Sequence, residues 1–500
     1  MSDTRSVWET DSPHVDPQPV TKDITVDVCV IGGGIAGMTA AYRLLKAGRS
    51  ILLLDADSPG HGETAHTTAH LAWVLDERFS QLAEIRGDET VLLAASSHQS
   101  AIADIEQLSR DEGIDCDFVR VSGYLFPGAD GPKALDAERE TVRRLGLDHA
   151  AVDEVSLLGG PGLEFPGQAR FHPTKYLRGL VTAVRSRGGD IRANTRAVRV
   201  SGGEPCTVET ADGATITARA VLVATNAPFD AGLTLHVRLA AYTTYALALP
   251  VPNGSVPDAL YWDTEDPYHY VRVLPASDGR ATDFLIVGGE DHKTGQANDQ
   301  DDRWARLTAW AKTRFPGAGE PTFHWSGQVF MTADGLGLIG AAPWGKNVYV
   351  ITGDSGSGLT HGTLGGRLVA DLMTGNPTPL AAVYDPSRWT PGAAVTLLKE
   401  NVNLAAQYAD WITGGDVSTV DQIPPGHGAV LRRGLTKVAV YRKPDGTTCE
   451  RSAACPHLGA AVRWNPGEQT WDCPAHGSRF APDGKVLHGP AVSDLEVIAK

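Results

Sequence analysis

Long apolar stretches and runs of basic residues are both missing from this sequence, and each absence excludes a class of partner. No segment approaches the roughly 20 apolar residues that a membrane-spanning helix needs. Lys and Arg number 44 against 60 Asp and Glu, a formal net charge of −16, which argues against nucleic acid and anionic membranes. Residues 1–23 are polar and lack the pattern of a signal peptide. We expect no nucleic-acid and no membrane partner.

Cysteine is also scarce, with six residues in a chain of 500. Cys29, Cys116, Cys206 and Cys449 stand singly, which is not the pattern of a disulfide framework and fits a reducing cytoplasm. We expect each to be a buried small apolar residue or an inert surface thiol. The length predicts two or three domains, and the localisation we expect is cytoplasmic.

The other two cysteines each stand close to a histidine, and these four residues are the most informative feature of the chain. The pairs are Cys455-Pro456-His457 and Cys473-Pro474-Ala475-His476, with fifteen residues between them. Two thiolates and two imidazoles are the ligands of a Rieske [2Fe–2S] cluster. A zinc site uses the same ligand types, but its loops usually supply like ligands, whereas each loop here supplies one of each. The spacing therefore favours the cluster.

A second motif lies near the start of the chain. Residues 23–31 predict a buried strand, and Gly32-Gly33-Gly34-Ile35-Ala36-Gly37 follows as G-x-G-x-x-G. A helical pattern then stops at Gly48, and a second strand ends at Asp55. In this context the glycines admit a pyrophosphate to the helix N-terminus and the carboxylate binds a ribose. The alternative for Asp55 is a helix cap. The motif predicts a dinucleotide site without separating FAD from NAD.

Further segments resemble the FAD-dependent D-amino-acid-oxidase-like superfamily, which includes glycine oxidase, sarcosine oxidase and dimethylglycine dehydrogenase. With the cluster loops, the chain looks like the bacterial subgroup in which such a flavoprotein is fused to a Rieske domain. The resemblance implies FAD and a [2Fe–2S] cluster as cofactors. The segments that carry it are residues 62–70, 171–177, 221–228, 287–292, 325–328 and 353–362.

The resemblance also implies roles for residues around the FAD. The glycine turn would hold the pyrophosphate, Asp55 the adenosine ribose, Val198 the adenine and Asn226 one side of the pocket. Residues 356–360 would open a helix whose N–H groups face the flavin N1/O2 edge, where reduced flavin is negative; the alternative is a flexible surface loop. The implied cofactor-binding residues are Gly32, Gly34, Ile35, Ala36, Gly37, Asp55, Ala56, His66, Thr67, Thr68, Val198, Asn226, Gly358, Leu359 and Thr360.

His66 has a second interpretation. In dimethylglycine and sarcosine dehydrogenases a His in a similar segment carries covalently bound flavin. Relatives vary at this position without loss of FAD, so we favour a non-covalent role on the pyrophosphate side.

The predicted fold is an α/β (α+β) Rossmann-like FAD-binding domain interleaved with an antiparallel-sheet substrate domain, followed by a small all-β Rieske domain. An amphipathic pattern after Pro391 predicts a helical connector. The predicted parts are the oxidoreductase 1–390, with FAD-binding segments near 20–84, 165–235 and 330–390 and substrate segments near 85–164 and 236–329, the linker 391–418 and the Rieske domain 419–500.

The sequence is least informative about the substrate. Glycine-oxidase-like enzymes place a carboxylate-binding Arg shortly after a W-x-G segment, and that position here is Val329. Arg272 is the nearest alternative anchor, with a strand-end ion pair as the equal alternative. Tyr268, Tyr270 and Trp325 could form an apolar wall over the flavin, although buried aromatic residues are more often plain core. The candidate catalytic residues are Arg272, His269 and Tyr270.

The two cofactors together favour an enzyme. A one-electron carrier is useless to a flavin that O2 reoxidises directly, so we expect a dehydrogenase that oxidises a C–N bond of a small amine or amino-acid-like molecule. Electrons would pass from FAD to the cluster and on to a soluble external acceptor. The alternative is an electron-transfer protein whose cluster feeds the flavin. A Rieske oxygenase is excluded because no 2-His-1-carboxylate site follows the cluster.

Four residues around the cluster loops bear on its potential. High-potential Rieske proteins join their loops by a disulfide, and both positions are alanine here, Ala460 and Ala475. We therefore expect packing alone to hold the loops. Ser478 keeps one hydroxyl donor to a cluster thiolate, whereas Phe480 replaces the Tyr that supplies another. Fewer hydrogen bonds to sulfur lower the potential, and we expect about −150 mV rather than +300 mV.

Overall fold

The computed structural model describes residues 4–498 apart from 21, 130, 231, 278 and 377. Its α-helices are α1 (Ile35–Lys46), α2 (Phe79–Arg86), α3 (Asp88–Asp111), α4 (Lys133–Leu145), α5 (Pro173–Ser186), α6 (Gly232–His236), α7 (Gln300–Arg314), α8 (Gly358–Met373), α9 (Leu380–Tyr384) and α10 (Ala394–Gln407). Short 3-10 turns cover Glu9–Asp11, Glu63–Ala65, Pro391–Ala393, Tyr408–Ile412 and Val420–Gln422. No helix of the described ranges is long and apolar enough to cross a membrane.

The strands form four sheets. The first contains β1 (Ile24–Ile31), β2 (Ile51–Leu54), β7 (Asp190–Arg192), β8 (Ala197–Ser201), β9 (Cys206–Thr210), β10 (Thr215–Val223), β16 (Leu338–Ala341) and β17 (Val348–Thr352). The second contains β3 (His70–Leu71), β4 (Val119–Phe126), β5 (Ala150–Val152), β6 (Gly162–Arg170), β11 (Leu239–Pro252), β12 (Leu260–Asp263), β13 (Tyr270–Leu274), β14 (Thr282–Lys293) and β15 (Phe323–Thr332). The third contains β18 (His427–Arg433), β19 (Thr436–Arg442) and β20 (Thr448–Ser452). The fourth contains β21 (Arg463–Asn465), β22 (Thr470–Asp472), β23 (Arg479–Phe480) and β24 (Val486–His488).

The first sheet has the parallel centre expected of a dinucleotide-binding domain. Its order is β16-β17-β10-β1-β2-β7, and β1 runs parallel to both β10 and β2. Strand β2 and residues Val28–Ile31 of β1 are buried on both faces, which matches their continuous apolar sequences. Helices α1, α5 and α8 contact one another or the sheet, so the predicted strand–helix–strand unit at the start of the chain is confirmed.

The second sheet is mainly antiparallel, with the order β15-β11-β14-β13-β12-β4-β6-β3 and β5 beside β6. It draws strands from both sides of the first sheet in sequence, so the predicted interleaving of two sheets is confirmed. The proposed boundary between residues 164 and 165 falls inside β6. Helix α7 packs against β11 and β14 around an apolar cluster that includes Trp304 and Leu307.

The C-terminal residues form two small antiparallel sheets, β18-β19-β20 and β21-β22-β23-β24, as predicted for an all-β domain. Helix α10 and the 3-10 turn after it connect this domain to the rest of the chain. The four sheets bring the glycine motif, the W-x-G segment and the cluster loops to one region, where the candidate site lies.

Candidate active site and cluster-binding loops

The glycine motif has the geometry that a bound pyrophosphate requires. Gly32 has a φ of +103°, and a Cβ there would lie 2.4 Å from the carbonyl oxygen of Ala224. A Cβ on Gly37 would lie 1.9 Å from the carbonyl oxygen of Gly32. Any side chain at either position would force the strand and helix apart, so glycine is required for their close approach. Gly37 therefore supports the turn from behind, and Gly32 to Ala36 line the cavity in front of it.

Asp55 stands at the end of β2 beside this turn. One of its carboxylate oxygens accepts a hydrogen bond from the Gly33 N–H at 2.6 Å, and the other accepts one from the Asp57 N–H at 2.9 Å. Burial raises the pKa of Asp55 from its ordinary value. The side chain lines the same cavity, which is the position that a ribose-binding carboxylate needs.

The cavity has a volume of about 910 Å³ and runs from the glycine turn to the second sheet. Among the implied cofactor residues Val198, Gly37 and Thr360 do not line it, and their neighbours Ala197, Ala36 and Leu359 do. The implied residues that line the cavity are Gly32, Gly34, Ile35, Ala36, Asp55, Ala56, His66, Thr67, Thr68, Asn226, Gly358 and Leu359. A cleft of this length with glycine at its phosphate end fits FAD.

The residues after β17 form the predicted helix start, not a surface loop. Gly356 has a φ of +83°, and α8 begins at Gly358 with Gly358 and Leu359 facing the cavity. The Thr360 hydroxyl lies 2.7 Å from Nδ1 of His98 and is within hydrogen-bond reach of the Ala72 carbonyl, so it anchors the helix behind the cavity. The free N–H groups of this first turn are available to an anion in the cavity.

Two of the three candidate catalytic residues lie away from the cavity. Arg272 is fully buried, and its guanidinium donates to the carbonyl oxygens of Ala69 at 2.7 Å and Phe171 at 3.1 Å. His269 is bonded to Asp263 at 2.9 Å and stacks on Trp310. Neither lines the cavity, so the structure gives Arg272 no access to a substrate and explains it as a brace between backbone segments.

Tyr270 does line the cavity together with Tyr268, in a cluster with two carboxyl groups that the sequence patterns did not single out. Its hydroxyl lies 2.6 Å from the Thr244 hydroxyl, and its ring lies 5.2 Å from that of Tyr268. The Tyr268 hydroxyl donates to the Asp76 carboxylate at 2.6 Å. Asp291 lies in the same cluster, and one of its carboxylate oxygens is buried without a partner.

The two carboxyl groups of this cluster have perturbed acidity. Loss of bulk hydration raises the pKa of Asp76 to about 7, opposed by the Tyr268 hydrogen bond. The same cause raises the pKa of Asp291 to about 6. Perturbed carboxyl groups in a cleft are typical of functional sites. Neither Asp76 nor Asp291 belongs to a recognisable motif, so no sequence signal identified them.

The four cluster ligands come together from two loops, one before β21 and one between β22 and β23. The His457 and His476 rings lie 4.9 Å apart, and the Cys455 and Cys473 side chains are within hydrogen-bond reach of each other. A ring nitrogen of each histidine is buried without a partner, Nδ1 of His457 and Nε2 of His476. Orphaned buried nitrogens beside paired thiols fit a metal cluster.

Hydrogen bonds from outside the Rieske domain hold both ligand loops. The Gln328 side chain donates to the Gly477 carbonyl at 2.8 Å, and the Gln296 side chain donates to the Pro474 carbonyl at 3.0 Å. From the linker, the Tyr408 hydroxyl donates to the Leu458 carbonyl at 3.1 Å and the Trp411 indole to that of Gly459 at 2.9 Å. The expectation that packing alone holds the loops was therefore incomplete.

The predicted tuning residues occupy the expected places. Ser478 is fully buried and hydrogen bonds to the Cys455 thiol, where it lowers the pKa of that thiol together with the larger effect of Cys473. Phe480 is fully buried in the same apolar cluster as both cysteines and brings no donor.

The Rieske domain also closes the flavin cavity. Residues 486–489, 491 and 492 line it, and the Val486 carbonyl accepts a hydrogen bond from Arg196 at 3.3 Å. On the other side, His236 of the oxidoreductase part lies 3.2 Å from His457 between their Nε2 atoms. The fold and site thus define a flavin-dependent oxidoreductase whose cofactor cavity and Rieske loops share one interface.

Comparison with known proteins agrees with this class. The sequence model of the family described as FAD dependent oxidoreductase matches residues 27–372, and that of the Rieske [2Fe-2S] domain matches residues 414–499. The chain belongs to the FAD dependent oxidoreductase family and carries a C-terminal Rieske domain. Its cofactors are FAD and a [2Fe–2S] cluster.

Individual relatives share one or both parts. A Rieske 2Fe-2S iron-sulfur protein of Bacillus subtilis, YhfW, is 29% identical over 98% of this chain and 97% of its own. The gamma-glutamylputrescine oxidoreductase of Escherichia coli is 26% identical over 71% of this chain and 85% of its own. The crystal structure of glycine oxidase from Geobacillus kaustophilus has a TM-score of 0.61 at 20% identity, covering 73% of this chain and 99% of that one, which shows the fold.

Proposed function

We propose that this protein is an amine dehydrogenase that oxidises a C–N bond of a small amine or amino-acid-like molecule and delivers the electrons through the cluster to a soluble external acceptor. One observation carries the proposal: residues of the Rieske domain wall the flavin cavity, and the ligand His457 contacts the oxidoreductase part. When bound, the flavin would take two electrons from the substrate and the cluster would carry them singly. A cluster-bearing domain that walls the flavin cavity serves a dehydrogenase and has no use in an oxidase.

The cavity end beside the second sheet supports an amine as substrate. The Asp76 and Asp291 carboxylates attract a cationic amine, and the Tyr268 and Tyr270 rings offer a wall against which it can pack. Amines are protonated in water, and an ammonium nitrogen has no electron pair to lose. A carboxylate whose pKa is near 7 accepts the proton at neutral pH, so Asp76 is the residue we assign to this step.

Glycine-oxidase-like enzymes carry a carboxylate-binding arginine at a position that is not an arginine in this chain. Val329 stands there and lines the cavity, and Arg272 is held by backbone carbonyls behind it. The usual clamp for a substrate carboxylate is therefore missing at this position, although Arg78 also lines the cavity. The gamma-glutamylputrescine oxidoreductase relative is named for a derivative of the amine putrescine, which supports an amine as the substrate.

The experiment is an anaerobic stopped-flow screen of primary and secondary amines, diamines and amino acids against the holoenzyme. We expect an amine to bleach the flavin absorbance first, and we expect the absorbance change that reports cluster reduction to follow it. Two results together would reverse the proposed direction of electron flow. No organic donor would bleach the flavin, and a reduced electron-transfer protein would reduce the cluster before the flavin.

A further inference from the structure

His236 is the one oxidoreductase residue of the described chain whose ring meets both cluster histidines. Its ring centroid lies 4.4 Å from that of His457 and 5.4 Å from that of His476. Its Nε2 lies 3.2 Å from Nε2 of His457, which is a hydrogen-bond distance between two ring nitrogens. The contact joins residues that are 221 positions apart in the chain, so it depends on the docking of the two parts.

The geometry decides which ring donates. A metal-bound imidazole coordinates through one nitrogen and donates the N–H of the other. Nδ1 of His457 is buried without a partner and is the nitrogen available to iron, which leaves Nε2 to carry the hydrogen. His236 then accepts this hydrogen bond with Nε2 and carries its own hydrogen on Nδ1.

The segment around His236 is fixed in position. Leu235 is fully buried in the core of the first sheet, the Val237 carbonyl accepts a hydrogen bond from Asn401 at 2.9 Å, and the Arg238 guanidinium donates to the carbonyls of Pro386 and Arg388. Val237, Arg238 and Leu239 then line the flavin cavity. The His236 ring is thus held rigidly between the cluster loops and the cavity wall.

We propose that His236 is a positioning residue for the cluster: it accepts the His457 N–H, fixes that ring, and couples the redox behaviour of the cluster to docking on the flavin domain. A hydrogen bond from the ligand N–H raises the basicity of the imidazole, which stabilises the oxidised cluster and lowers its potential. The pairing also places the Nε2 edge of His457 against the oxidoreductase part. The inference rests on the cluster and the docked interface; it does not depend on the proposed substrate or direction of electron flow.

The test compares three variants of the full holoenzyme by protein-film voltammetry and by electron–nuclear double resonance of exchangeable protons. His236→Leu removes the acceptor, and His236→Gln keeps an acceptor oxygen. The control, Thr4→Val, removes a hydrogen bond to Glu468 of the Rieske domain, which lies in neither ligand loop. At a fixed electrode potential we expect about a tenfold higher ratio of reduced to oxidised cluster in His236→Leu, a rise of about 59 mV for one electron. We expect the His457 proton coupling to change with it, and we expect His236→Gln and Thr4→Val to stay near wild type.

Results of the His236 variants that differ from this expectation also decide for or against the proposal. A wild-type potential and proton coupling in His236→Leu would overturn it, as would an equal shift in Thr4→Val or in His236→Gln. If His236→Leu loses the cluster while His236→Gln keeps it, the acceptor is needed to hold the ligand, which supports the proposal. Loss of the cluster in both His236 variants would show that the ring is needed for packing alone. All readouts are made without an amine, so failure to find a substrate leaves them interpretable.

Discussion

The cluster ligands all lie within residues 455–476, whereas the cavity beside them is lined from Ile31 to Val492. Two short loops place four ligands because each loop carries a Cys and a His two or three residues apart. The cavity needs strands from two sheets, the start of α8, the linker helix and the last strand of the Rieske domain. A cluster motif is therefore visible in the sequence, and a substrate pocket is not.

The two regions also differ in how they are held together. The glycine turn is closed by local backbone packing, since a Cβ added to Gly37 of α1 would lie only 1.9 Å from the Gly32 carbonyl oxygen. The cluster loops depend on donors from elsewhere, with Gln328 and Gln296 on one side and Tyr408 and Trp411 on the other. Hydrogen bonds from the linker and the flavin domain thus replace the disulfide that joins the loops of high-potential Rieske proteins.

The largest expected effect separates the two cofactors. His457→Ala or His476→Ala removes a cluster ligand, and we expect complete loss of the Rieske signal in electron paramagnetic resonance with about one FAD per chain retained. Flavin absorbance of the purified protein measures the retained FAD. His427→Ala, at an exposed histidine of the same domain, is the matched control. Loss of FAD in the ligand variants would show that the two sites are not independent, since the cavity wall at residues 486–492 would then need the cluster.

A smaller effect is expected at the substrate end of the cavity. Asp76 accepts a proton only when ionised, and its pKa is raised to about 7, so wild-type kcat/KM should rise as the pH increases through 7 and fall below it. Asp76→Asn should lower kcat/KM about 100-fold and remove this rising limb. The measurement is a pH profile of amine-dependent reduction of an artificial acceptor, with Glu77→Gln as a control at the adjacent carboxyl group. If the pH profile of Asp76→Asn keeps the rising limb, another residue accepts the proton, and Asp291 is the next candidate.

The smallest expected effect tunes the cluster without touching its ligands. Phe480→Tyr adds a hydroxyl in the apolar cluster that contains both cysteines, and a hydrogen bond to sulfur stabilises the reduced form. We expect a wild-type midpoint of about −150 mV and a rise of up to about 59 mV in the variant, a tenfold change or less. Protein-film voltammetry measures both, and Phe480→Leu, which also lacks a hydroxyl, should not raise the potential. A wild-type midpoint well above zero would contradict the tuning argument and the soluble acceptor that it suggests.

Much of the fold follows from local patterns. The strand, glycine turn, helix and second strand at the start of the chain appear where the apolar runs and Gly48 place them, and α8 begins at Gly358 as the glycines before it predict. These elements are determined by backbone sterics and short-range burial, which neighbouring residues control. The interleaving of the two sheets came from a family resemblance, since no local rule dictates strand order.

The candidate site also contains residues that local patterns identify and residues whose roles depend on the fold. Cys455, His457, Cys473 and His476 were identified from the sequence because ligand type and spacing are properties of short segments. Arg272 was an equal choice between substrate anchor and structural ion pair, and its side chain turned out to brace Ala69 and Phe171. Whether a guanidinium faces a cavity or a carbonyl depends on which strands flank it, and a single strand pattern does not contain that information.

By itself, the sequence determined the cofactors: the cluster through four ligands in two loops and the FAD through one glycine turn and the segments similar to known flavoproteins. Only the tertiary structure decided how those cofactor sites meet. It brought Asp76 and Asp291 to one end of the cavity. It also gave the Gly477 carbonyl a hydrogen bond from Gln328 and placed His236 against His457. The physical reason is that ligand chemistry is carried by adjacent residues, whereas burial, pKa shifts and contacts across an interface arise from groups hundreds of positions apart that only the folded chain brings together.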